Sequence, residues 1–217
     1  MKKRRMLIVL FCAVFLLTGC VKVEVRTPEA EIAEQHVERG ITLTEEGRYD
    51  EAIEEYTKAI ELDPKLATAY NNRGVAYGSK GQYDLEIADY SKAIELDPNY
   101  ALAYTNRSAA YYYKGQYDLA IADASKAIEL DPNDAIAYDN RAWSYNAKGQ
   151  YDQSIADCNK AIELDPNYAM AYANRAYAYK EQGMVAEAIA DFEKSISLTD
   201  NPYLIEEARG QIQELSK

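Results

Sequence analysis

The side chains of this 217-residue chain that could do chemistry are few in kind, and they recur at one interval. Arginine stands at Arg39, Arg73, Arg107, Arg141 and Arg175. Sixteen residues after each comes an acid: Glu55, Asp89, Asp123, Asp157 and Asp191. A guanidinium presents paired donors that match the two oxygens of a carboxylate, so the spacing suits five internal ion pairs. It also suits a basic stripe for an acidic ligand, if the acids point elsewhere. Asparagine stands at Asn72, Asn106, Asn140 and Asn174. Each amide carries a donor and an acceptor, which suits a clamp on a ligand's backbone or hydrogen bonds between neighbouring parts of the fold. Groups for catalysis are scarce. His36 is the one histidine, and Cys12, Cys20 and Cys158 form neither a CxxC pair nor a disulfide framework. Glycine-rich phosphate loops and metal-ligand spacings are missing, so the expectation is a non-enzyme that takes no cofactor and no metal.

What must position these groups is a repeat. Glycine recurs at Gly47, Gly81, Gly115, Gly149 and Gly183, and proline at Pro64, Pro98, Pro132 and Pro166, always 34 residues apart. The heptapeptide Lys-Ala-Ile-Glu-Leu-Asp-Pro stands verbatim at 58–64, 92–98, 126–132 and 160–166. A fixed period of this size marks a solenoid. Numbering positions from Ala33, Ala67, Ala101, Ala135 and Ala169 gives units 33–66, 67–100, 101–134, 135–168 and 169–202. Positions 1–14 read as one helix, ended by a left-handed glycine at 15. Asp at 18 (Asp50, Asp84, Asp118, Asp152) opens a second helix, as a cap or against its positive end. Asp-Pro at 31–32 stops that helix, because proline disfavours helical geometry in the residue before it. Position 20 is Glu86 in the second unit and Ser154 in the fourth where alanine is the norm, which predicts looser packing there. Residues 203–217, apolar at Leu204, Ile205, Ala208, Ile212 and Leu215, read as the capping helix that an array needs.

The second unit, with Tyr70, Gly74, Tyr77, Gly81, Tyr90, Ala93 and Pro98 at positions 4, 8, 11, 15, 24, 27 and 32, resembles the tetratricopeptide repeat. The likeness extends over 33–202. It implies an all-α fold, a right-handed α-solenoid of five helix–turn–helix repeats plus the C-terminal helix. It also implies a protein- or peptide-binding scaffold whose ligand lies in the concave groove. Members that grip a C-terminal carboxylate use Lys at 5 and Asn at 9 of one unit, then Asn at 6 of the next, then Lys at 2 and Arg at 6 of the third. Asn106 fits, but Asn71, Val75, Ile136 and Asn140 do not, so a carboxylate clamp is rejected.

Fourteen of the 20 tyrosines fall at positions 4, 11, 17 or 24 and are read as seam-filling rings, as are His36 at 4 and a buried, inert Cys158 at 24. At about 100° per residue, positions 2, 5, 6, 9, 12 and 13 share an arc opposite that framework. In units two to four the arc carries one charge, Asp139, where an idle outward face would carry several. Its asparagines, with Leu102, Tyr112, Ile136, Trp143, Met170 and Tyr177 as apolar pockets and anchors, form the candidate peptide site. Glu34, Glu38 and Glu45 place unit one outside the apolar centre.

The N-terminus bears on location. Lys2–Arg5 precede an apolar run over 6–17, which is too short for a comfortable membrane span and reads as a secretory signal over 1–19, with a short membrane anchor as the alternative. Leu17-Thr18-Gly19-Cys20 resembles the lipobox of bacterial lipoproteins. That resemblance implies cleavage before Cys20, diacylglycerol on its thiol (with palmitate among the acyl chains), and a lipid-anchored place in the bacterial cell envelope. Residues 20–32 lack a clear apolar period and read as the lipidated tether or, from 21, the lead-in to the first helix. Val21, in place of Asp, points to the outer membrane facing the periplasm if the cell is Gram-negative. The formal charge of −12 repels polyphosphate, so nucleic acid is not an expected partner. The expected role is a membrane-tethered adaptor in envelope assembly or secretion. A self-assembling structural lipoprotein is the alternative, and a homo-oligomer is compatible with either.

Overall fold

The computed structural model describes residues 27–217, so the signal segment, the lipobox and Cys20 lie outside the described residues. Within that range the chain is all helical. Its eleven helices are α1 (Pro28–Glu45), α2 (Tyr49–Leu62), α3 (Ala67–Ser79), α4 (Tyr83–Leu96), α5 (Ala101–Tyr113), α6 (Tyr117–Leu130), α7 (Ala135–Ala147), α8 (Tyr151–Leu164), α9 (Ala169–Glu181), α10 (Val185–Ser197) and α11 (Pro202–Leu215). They form five helical hairpins and a final single helix. α1 begins at Pro28 with Thr27 as its N-cap, so of the stretch read as tether or lead-in, residues 28–32 are the start of the first helix. Proline at the first helical position and Oγ of Thr27 accepting from the Ala30 amide explain the early start.

The hairpin turns behave as the repeat predicts. The glycine at position 15 has φ between 69° and 75° in all five units, a backbone state costly for any residue with a Cβ. Each Asp-Pro junction holds its aspartate extended, as at Asp63 (φ −133°, ψ 92°). The Asp63 carboxylate then accepts the Lys65 amide two residues on, and Asp97, Asp131 and Asp165 repeat the turn. The aspartates at position 18 do not cap. They lie within the first turn, where the helix dipole favours them, and each reaches a neighbour: Asp50 pairs with Lys80, Asp84 with Lys114, and Asp118 with Lys148. These bridges join consecutive units on an exposed edge.

The core is built from small residues. Alanines such as Ala52, Ala76, Ala103, Ala127 and Ala161 are fully buried and let the helices approach closely. Large rings enter only where a partner is small. Tyr56 and Tyr90 are buried against Gly40 and Gly74, where a Cβ would come within 2.4 and 2.7 Å of the rings. Successive first helices (α1, α3, α5, α7, α9) pack on one another, and no comparable packing joins the second helices, so the stack curves with the first helices inside. α11 packs on α10 in the place a sixth first helix would take, burying Leu204 and Ala208 against unit five. That contact covers the C-terminal end, as expected of a cap.

Candidate peptide groove

Four of the five arginine–acid pairs close as two-pronged bridges. Arg73 meets Asp89 at 2.8 and 2.8 Å, Arg107 meets Asp123 at 2.6 and 2.9 Å, Arg141 meets Asp157 at 2.7 and 2.8 Å, and Arg175 meets Asp191 at 2.6 and 2.8 Å. Each guanidinium also reaches back to the preceding unit, to Thr57, Ser91, Ser125 or Asn159, and lies over the tyrosine at position 4. These arginines are therefore spent within the solenoid, which removes the basic-stripe reading. The fifth expected pair, in unit one, is present but loose. Arg39 stands 3.9 Å from Glu55, whose carboxylate is taken by His36 (2.7 Å) and Lys58 (2.6 Å).

The asparagine ladder also works between helices. Asn106 donates through Nδ2 to Asn71 Oδ1 (3.1 Å), Asn140 to the Thr105 carbonyl and Ser108 Oγ (3.1 Å each), and Asn174 to Asp139 (2.8 Å). Asn72 accepts from Asn71. In units three to five the residue at position 6 is thus a tie to position 5 of the unit before. Position 5 itself (Asn71, Thr105, Asp139, Ala173) is buried and does not line the groove. Burial raises the Asp139 carboxyl to about 6, opposed by hydrogen bonds from Asn174 and Tyr168. Asn174 is buried too, so it leaves the candidate ligand set. Met170 likewise packs on Ala169, Ala173 and Leu204 under α11.

What faces the inside of the curve is a row of three open pockets. The first is lined by Ile41, Thr44, Glu45, Tyr56, Asn72 and Val75. The second, about 440 Å³, lies among Val75, Gly78, Ser79, Tyr83, Glu86, Tyr90, Asn106, Ala109 and Tyr113. The third, about 450 Å³, lies among Tyr112, Trp143, Asn146, Ala147, Tyr151, Tyr177, Glu181, Glu207 and Gln211. Stacked rings separate the second and third. Tyr112 lies on Trp143 at 3.7 Å between centroids, Tyr113 meets the Trp143 edge at 5.5 Å, and Tyr83 stacks on Tyr113 at 5.6 Å.

Of the residues chosen from the sequence, Tyr112, Trp143 and Tyr177 meet in one pocket, while Asn106 and Asn72 line the others. Leu102 and Ile136 stand about half exposed at the starts of α5 and α7, outside the pockets. Unit one contributes Ile41 and Glu45, so it takes part in the groove and does not stand wholly apart from it. Three kinds of lining residue were missed. Tyrosines at position 17 (Tyr83, Tyr151) were read as packing but turn to the groove. Glu207 and Gln211 arrive from α11. Glu86 was read as a packing defect, yet Gly78 stands opposite it, where a Cβ would come 2.5 Å from its carboxylate. The available signal was that both departures fall in the same unit.

Cys158 is buried, with a thiol that burial pushes well above the ordinary range, as expected of an inert packing sulfur. Among the described residues no helix is long and apolar enough to cross a membrane.

Models described as TPR repeat match residues 40–81 and 142–183. Models described as tetratricopeptide repeat match 67–100, 101–134, 124–156 and 169–202. Among curated proteins none matches the chain. Among solved structures, the MamA protein is similar at 27% identity over 77% of this chain and 91% of that one, with a TM-score of 0.65. YrrB, described as a TPR protein with an unusual peptide-binding site, shares the fold at 22% identity over 85% and 98%, with a TM-score of 0.63. The first TPR of Spaghetti (RPAP3), bound to the HSP90 peptide SRMEEVD, is 29% identical over 55% and 94%, with a TM-score of 0.54. With the repeat matches together running from 40 to 202, the chain belongs to the tetratricopeptide-repeat family.

Proposed function

We propose that this protein is a membrane-tethered adaptor that holds a segment of a partner protein in the groove formed by α1, α3, α5, α7 and α9. The observation that carries the reading is the row of three pockets, the second and third of which meet at the ring stack Tyr83–Tyr113–Trp143–Tyr112. Aromatic rings left half in water offer large rigid contact area at small entropic cost, and tryptophan and tyrosine dominate binding hot spots. Proteins of this family are interaction scaffolds, and the peptide bound in the RPAP3 complex supports a peptide segment as the class of ligand. The groove is not a carboxylate clamp, because the required lysines and arginines are replaced by Asn71, Ile136 and Asn140.

The tether is the lipid chain on Cys20, placing the groove at a bacterial envelope membrane, on the periplasmic face of the outer membrane in a Gram-negative cell. One chain gives marginal anchoring and two give stable anchoring, so a diacylglyceryl cysteine suffices. Two experiments test the two halves. Palmitate labelling of cells carrying the wild type and Cys20→Ser should mark the first and not the second, and equal labelling rejects the anchor. A photoreactive group at position 143 should crosslink a partner from envelope extract that W143A fails to retain. Retention of the same partner by W143A rejects the groove.

A further inference from the structure

Glu86 is the one glutamate buried in this chain's described residues: it is 8% exposed, with one carboxylate oxygen holding Tyr90 Oη at 3.2 Å and the other holding nothing. Burial raises its carboxyl to about 7, against the opposing hydrogen bond from Tyr90. Position 20 in units one, three and five is Ala52, Ala120 or Ala188, so the fold itself does not require an acid there. Space for the carboxylate comes from Gly78, where units three and five have Tyr112 and Lys180. A buried carboxylate with an unpaired oxygen costs stability, and such departures from local consistency mark functional positions.

The surroundings state what would satisfy it. Glu86 lines the second pocket with Tyr83, Tyr90, Tyr113, Asn106 and Ser79, its unpaired oxygen buried at the wall. Tyr83 and Tyr113 stack nearly parallel, 9° apart, and present ring faces and edges to that space. Asn106 spends Nδ2 on Asn71, and Ser79 Oγ donates to the Val75 carbonyl, so both are left with acceptor oxygens. Acceptors and π-faces converge, and no lysine, arginine or histidine lines this pocket or either neighbour. The other two pockets carry Glu45, Glu181 and Glu207. A cation is the complement of such a site.

We infer that the second pocket is a subsite for a primary ammonium on the bound segment, held by the Glu86 carboxylate and flanked by Tyr83 and Tyr113. The inference rests on the groove reading above and adds the chemistry of its occupant: a basic peptide, supplied through a lysine side chain or an N-terminal amine. An ammonium has three donors, and Glu86, Asn106 and Ser79 each bring an acceptor to the lining of this pocket, whereas a bare hydrocarbon would leave the carboxylate unpaired.

The test uses the full chain with three alanine-based heptapeptide amides. One is acetylated with lysine at its centre, one is acetylated with norleucine there, and one has a free N-terminus and no lysine. Binding is read by Trp143 fluorescence, since Trp143 touches Tyr113. The lysine peptide should bind about tenfold or more tightly than the norleucine peptide, and E86Q should abolish that difference. E86A should do the same while raising the unfolding midpoint, a pairing that a merely structural glutamate would not show. Preference for the free-amine peptide over the acetylated lysine one, lost in E86Q, supports the same chemistry with the terminus as its source. Equal binding of all three peptides, or a preference for either amine that survives E86Q, overturns the subsite and leaves the groove standing. If none of the three peptides perturbs Trp143 at millimolar concentration, subsite and groove both fall.

Discussion

Units one and three carry the same arginine and an acid in the same places, and they use them differently. In unit three Arg107 is 16% exposed, grips Asp123 with two nitrogens, reaches Ser91 of the unit before, and lies between Tyr104 and Tyr111. In unit one Arg39 is 59% exposed and stands 3.9 Å from an acid already shared between His36 and Lys58. Three small changes account for this. Glutamate is one methylene longer than aspartate and can turn to His36. Histidine replaces the tyrosine over which the guanidinium would lie. Among the described residues no second helix precedes α1 to offer an acceptor like Ser91. An ion pair in a repeat protein is thus made strong by the neighbouring unit as much as by its two partners.

The largest expected effect contrasts those two arginines. R107A strands the buried Asp123 carboxylate and should cost about 3–5 kcal/mol, whereas R39A should cost less than about 1 kcal/mol. Urea unfolding followed by circular dichroism measures both, and equal losses would break the comparison. Next comes unit two against unit three at position 20. The Glu86 carboxyl is raised when folded, so the folded state takes its proton more readily than the unfolded chain. The cost of its charge is absent below about pH 4.5, grows as pH rises, and is complete above about pH 7. Of the groups that line the pocket with it, Tyr90 and Tyr113 have phenols that burial pushes up from the ordinary range, away from that window. E86Q should therefore match the wild type near pH 4 and exceed it by about 1–3 kcal/mol at pH 8. A gap that does not change with pH would show that the carboxylate is solvated.

Installing unit three's residues in unit one sharpens the same contrast. H36Y with E55D should draw Arg39 onto the acid and stabilise by about 1 kcal/mol, measured by the same unfolding curves. No gain would mean that the missing acceptor ahead of α1 matters more than the pair. The smallest effect belongs to the exposed edge bridges. K114A, which frees an Asp84 side chain already 87% exposed, should change stability by about 0.5 kcal/mol or less, and that little should vanish in high salt. A larger loss would make these lysines part of the frame.

The frame was legible because each of its parts is a local rule repeated four or five times. The glycine at 15, the Asp-Pro stop and the alanine seams need only their own unit, so period and residue type were enough to place them. The site was legible in part. Helical geometry correctly put Tyr112, Trp143 and Tyr177 on one face. It could not say that position 5 lies under the next helix, because 100° per residue locates a residue on its own helix and says nothing of how far a neighbour wraps round it. That is why Asn71, Thr105 and Asp139 were grouped with groove residues and are buried. It is also why the asparagines, chosen for their ability to bind backbone, are found tying α3 to α5, α5 to α7 and α7 to α9.

By itself the sequence determined the repeat, its register, the antiparallel hairpins and the pairing of arginine with acid, since all follow from steric and electrostatic preferences within about 34 residues. Only the tertiary structure decided which polar groups the stack consumes and which it leaves facing the groove. Stacking buries one edge of every first helix against the next, and the small residue opposite each large one, Gly78 opposite Glu86 above all, is set by contacts between helices. A packing partner has no fixed offset in sequence, so it becomes visible only when the helices are side by side.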